Sequence, residues 1–62
     1  MLTITDEQEQ ILLKYMPNYK ESTDFFADLD EVMLNSLDEN GEGTDETTVI
    51  SRLYDQIFSQ NR

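Results

Sequence analysis

The chain has no cysteine, no histidine and no tryptophan. Without thiols it forms neither a disulfide framework nor a thiolate metal site. Without imidazole it lacks the usual general base, the usual zinc ligand and the usual pH switch. Basic residues are scarce: 4 Lys or Arg stand against 14 Asp or Glu, for a formal net charge of −10. That sign disfavours charge-led binding to DNA or to an anionic membrane. No apolar run approaches the ~20 residues of a membrane span. The opening Met1-Leu2-Thr3-Ile4-Thr5-Asp6-Glu7 is acidic and lacks the basic start and apolar centre of a signal peptide. A soluble, cytoplasmic protein is the expectation.

With 62 residues there is room for one small domain. Such a chain buries only about 60% of the surface that its unfolded form exposes, so stability is modest. Self-repulsion lowers it further at low salt.

Three amphipathic stretches follow one another. Thr5 with Gln8 fits a capping box, and Asp6 and Glu7 suit a helix N-terminus. Ile11, Leu12 and Tyr15 then share a face, and Pro17 ends the helix near Tyr15. A second helix begins between Asn18 and Thr23, capped by Asn18 with Glu21, or by Ser22 or Thr23. Its apolar positions are Phe25, Phe26, Leu29, Val32, Met33 and Leu37, with Ala27 and Leu34 off that face. Residues 38–44 hold both glycines and read as a loop. Thr44 or Asp45 caps a third helix whose stripe is Val49, Ile50, Leu53, Tyr54, Ile57 and Phe58, and residues 59–62 are expected to fray. Helices this short are stable only if their stripes are buried together. The expected fold is therefore all-α, a compact three-helix bundle with helices near 6–16, 19–38 and 45–59. Phe26, Leu29, Met33, Leu53 and Ile57 are its expected core.

The second helix carries the main functional signal. Glu21, Asp24, Asp28, Glu31 and Asp38 fall at helical steps, opposite the apolar face. No Lys or Arg lies within positions 23–48. A surface helix usually mixes signs to gain i,i+4 pairs, so an unmixed stripe points to a basic partner. On one continuous helix it would span roughly 25 Å with a charge about every 5 Å, of the same order as the ~3.4 Å phosphate spacing of one DNA strand. Leu13 and Leu34 are apolar and lie away from the main faces, which suits a partner contact or a homodimer. The candidate partner-binding residues are thus Glu21, Asp24, Asp28, Glu31, Leu34 and Asp38. Exposed carboxylates on a small bundle have no cavity to tune them, so no enzyme activity and no cofactor are expected.

The loop resembles an EF-hand calcium loop over its first nine positions. Asp38, Asn40, Glu42, Gly43 and Glu46 match positions 1, 3, 5, 6 and 9. The match then stops: Asp45 replaces the aliphatic residue of position 8, and Val49 replaces the bidentate Glu of position 12. Weak calcium binding at most is implied, and no metal residue is assigned.

In size, helix order, acidity and the closing Leu53-Tyr54-Asp55, the chain is similar to small bacterial and phage antirepressors of the DNA-mimic type. The likeness is largely compositional. It implies a bacterial or phage origin and an inhibitor that binds a basic, nucleic-acid-binding protein. The competing expectation is a helical accessory subunit that docks by its apolar surface.

Overall fold

The computed structural model describes residues 2–62 and is an all-α bundle of three helices. Helix α1 spans Asp6–Tyr15, α2 spans Phe25–Asn35 and α3 spans Asp45–Gln60. A single 3-10 turn, Tyr19–Glu21, lies between α1 and α2. Among the described residues no helix is long and apolar enough to cross a membrane.

The start of α1 follows the sequence signal. Thr5 Oγ1 accepts the Gln8 N–H at 3.2 Å, and Gln8 Oε1 accepts the Thr5 N–H at 3.1 Å. Thr44 caps α3, and its box is completed by Thr47 rather than by a Glu or Gln. Pro17 follows directly on the Met16 cap of α1, as its restriction on the preceding residue requires.

The second helix departs from expectation. It does not start between Asn18 and Thr23, and it does not reach Asp38. Asn18 makes no side-chain cap, and residues 19–21 close only a 3-10 turn. Ser22, Thr23 and Asp24 are three successive residues whose side chains compete with the helical backbone. Asp24 prevails as the cap because its Oδ1 reaches the Ala27 N–H at 3.3 Å. The Ser22 hydroxyl meanwhile donates to Asp28, which anchors the turn to the new helix. At the other end the Ser36 hydroxyl folds back on the Met33 carbonyl at 2.5 Å and touches Thr47 Oγ1 at 2.6 Å. Thr44 Oγ1 donates to the Ser36 carbonyl at 3.0 Å. These bonds stop α2 and seat the start of α3 against it.

The buried core is Leu12, Met16, Tyr19, Leu29, Ile50, Leu53 and Ile57. Three of the five expected core residues are there. Phe26 and Met33 pack against the core but keep part of their surface in solvent. Met16 and Tyr19 enter from the connection between α1 and α2. Tyr19 is fixed from both sides: its ring meets Phe25 edge-on at 6.2 Å, and its hydroxyl donates to Glu9. That hydrogen bond, with burial and the carboxylate's charge, raises the Tyr19 pKa above the usual phenol value.

Helices α2 and α3 run antiparallel. Phe26 in the first turn of α2 meets Phe58 in the last turns of α3, and Ser36 meets Thr47 at the opposite end. Helix α1 is joined to α3 through amides. Gln8, a buried residue, donates from Nε2 to Gln56 Oε1 at 3.2 Å and to Gln60 Oε1 at 2.8 Å. Gln60 Nε2 returns a bond to Gln8 Oε1 at 3.0 Å and another to the Thr3 carbonyl at 3.1 Å. Asn61 completes the clasp, accepting from Thr3 N–H at 2.6 Å and donating to the Thr3 carbonyl at 2.9 Å. The chain end is therefore tied to residue 3, where fraying was expected. The amides of Gln56, Gln60 and Asn61 have partners 48 to 58 positions away. Replacing Gln8 by Ala removes half of the capping box and three bridging bonds. It is expected to cost about 1–2 kcal/mol, read as a lower urea midpoint with an unchanged slope.

Candidate functional site

Every Asp and Glu except Glu9 is exposed, and Glu9 is half-buried. Among the described residues one ion pair occurs, Lys20 Nζ to Glu9 Oε2 at 4.0 Å. Among the described residues the exposed carboxylates are therefore almost wholly outside ion pairs.

The five carboxylates expected on one helical face are divided among four settings. Glu21 belongs to the 3-10 turn, Asp24 is the cap of α2, Asp28 and Glu31 lie on α2, and Asp38 lies in the loop beyond it. Helix α2 has 11 residues, about 16 Å of axis, so it cannot carry a 25 Å ladder. The even charge spacing inferred from the sequence does not survive the break at residues 22–24.

What replaces the ladder is a groove. Glu21, Asp28 and Glu31 line one depression of about 410 Å3 between the α1–α2 connection and α2. Met16, Pro17 and Val32 supply its apolar lining, and Asn18 and Asn35 add amides. Fold-back of the 3-10 turn onto α2 forms the depression, with the Ser22–Asp28 bond holding the two walls together. A site with apolar lining and three carboxylates suits a long cationic side chain, whose methylene stem packs while its head stays at the acids. Asn18 and Asn35 were not candidates in the sequence, because only the fold-back brings them together.

Asp24 and Asp38 stand apart from this groove. The Asp24 carboxylate is engaged as a cap. Asp38 Oδ1 accepts the Asn40 and Glu42 N–H groups, each at 2.9 Å. The Asp38 backbone closes the same turn, with Gly41 N–H on its carbonyl at 2.9 Å and its own N–H on the Glu42 carbonyl at 2.9 Å. Gly41 takes the left-handed conformation, φ 78°, whereas Gly43 has no positive φ. The EF-hand alignment assigned the sharp turn to Gly43, so the loop geometry differs from the one that alignment implies. Among the described residues no three acids are gathered around a cation position. Calorimetric titration with calcium is expected to give no affinity tighter than millimolar.

Leu34 and Leu13 are exposed, as their positions off the stripes suggest, Leu34 at 59%. Two further exposed apolar residues were not anticipated: Val49 and Phe58, the latter at 47%. At 3.6 residues per turn the α3 stripe is about 180° wide, with Val49 and Phe58 at its two margins. Only its middle, Ile50, Leu53 and Ile57, is buried.

No family model, no curated protein and no solved structure matches this chain.

Proposed function

We propose that this chain is a non-enzymatic acidic interaction module that binds a basic, nucleic-acid-binding protein and inhibits it. One observation carries this: the surface is lined with exposed carboxylates that have almost no cations of their own to pair with. Such a surface costs stability through self-repulsion, and a cationic partner removes that cost on binding. The groove of Glu21, Asp28 and Glu31 is the proposed seat of a Lys or Arg side chain, and Asp24 and Asp38 add to the surrounding field. Leu34 lies on the exposed side of α2, within the same contact. If the partner uses one surface for nucleic acid and for this chain, the two ligands exclude each other, as with a DNA mimic.

A second reading is an accessory subunit that docks by its apolar surface. The exposure of Leu34 and Phe58 favours it. The two differ in what the partner does with nucleic acid. The test captures the partner from native extract on the immobilised chain, identifies it, and follows its labelled nucleic acid by fluorescence anisotropy. Displacement by the chain, in proportion to its concentration, supports the inhibitor. Unchanged anisotropy with the chain bound supports the accessory subunit.

A further inference from the structure

An aromatic ridge lies between α2 and α3. The Tyr54 and Phe58 rings are parallel, 7° between planes, with centroids 6.2 Å apart. Phe26 meets both edge-on, at 5.3 and 5.4 Å, and props the pair from α2. The outer ring, Phe58, is nearly half exposed. A large aromatic in this state forgoes much of the gain from burial.

The ridge is flanked by carboxylates. Asp30 follows Phe26 by one turn of α2 and precedes Leu34 by another, so the three share a row. Asp55 precedes Phe58 by three residues on α3. Both acids are exposed, and neither is in an ion pair. Of the two cations nearest in sequence, Arg52 lies about 120° around α3 from Phe58, and Arg62 follows the Asn61 cap beyond the end of the helix; among the described residues neither is in an ion pair. Charge complementarity therefore selects the occupant. A second copy would bring −10 against −10 and place the same two acids against each other. A cationic segment meets no such opposition.

The cation that suits stacked rings bordered by acids is a guanidinium. It lies flat on an aromatic face and pairs with a carboxylate at its edge, whereas an ammonium is a strongly hydrated point charge. We propose that Phe26, Tyr54 and Phe58, with Asp30 and Asp55, form a docking surface for an arginine-bearing segment of the basic partner. This rests on the acidic-module reading and narrows it: the groove of Glu21, Asp28 and Glu31 attracts any cation, and the ridge selects arginine over lysine. Phe58 stacks on the incoming guanidinium. Phe26 is a positioning residue that holds the stacked pair.

The probes are blocked hexa-arginine and hexalysine peptides of equal charge, titrated calorimetrically against the whole chain at low salt. Both are expected to bind, with affinities that fall as salt is added. The arginine peptide should bind about fivefold tighter for one guanidinium stacked on the ridge. Phe58→Ala should abolish that preference while leaving the lysine affinity unchanged, and Phe58→Tyr should retain it. Because Phe58 is largely outside the core, thermal melting is expected to show both variants folded. Equal affinity for the two peptides in the wild type, or a preference that survives Phe58→Ala, would overturn the ridge and leave the acidic module standing. Absence of binding by either peptide at low salt would overturn both.

Discussion

Leu53→Ala is expected to lower stability by about 2–5 kcal/mol, by loss of transfer free energy and by the cavity left behind. Leu53 is 2% exposed and sits midway along α3 among Leu12, Leu29, Ile50 and Ile57. A core in so small a domain rarely supplies more than about 3–5 kcal/mol in total. The variant should therefore be largely unfolded well below the melting temperature of the parent, and circular dichroism at the helical band follows this directly. Phe58→Ala is the informative control. It removes a larger side chain from the same helix but from its exposed margin, and its melting temperature should fall much less. Equal losses at the two positions would mean that the core is not where Leu53 lies.

Much of this bundle could be read from the chain. Thr5 with Gln8, Pro17 and Thr44 mark three helix ends by local chemistry, and all three are where that chemistry places them. The central helix was harder because Asn18, Ser22 and Thr23 offer competing starts, and the cap is the next residue, Asp24. Local rules rank these residues as near equals. Tertiary packing decides among them: Tyr19 is drawn into the core and held by Glu9, which leaves Asp24 as the first residue free to cap a straight helix. The amide clasp of Gln8, Gln56, Gln60 and Asn61 was invisible, since no sequence rule pairs polar residues 50 or so positions apart.

The site shows the same division. That the surface is anionic, and that Leu34 is exposed, follow from composition and period alone. That Glu21, Asp28 and Glu31 line one groove depends on the fold-back at residues 22–24 and follows from no periodicity. The break that destroyed the expected ladder of charges is what assembled the groove.

The second large effect expected is on binding. Changing Glu21 and Glu31 to Gln, and Asp24 and Asp28 to Asn, removes four charges from one side of the molecule. The fold should withstand this. Asn is as good an N-cap as Asp, so position 24 keeps its role, and an amide oxygen at 28 still accepts the Ser22 hydroxyl. With less self-repulsion the variant should be slightly more stable at low salt. Its affinity for the basic partner should nevertheless fall about tenfold at low ionic strength, mostly through slower association.

The most direct test of the charge-led interface is the affinity of the identified partner across a salt series, for the parent and for this fourfold variant side by side. A charge-led interface gives a parent affinity that declines steeply with salt, a variant that starts weaker and declines less, and two curves that converge as screening shortens the reach of the acids. Equal affinities for the two proteins at every salt concentration would contradict it, and would reduce the acidic side of α2 to a solvated face.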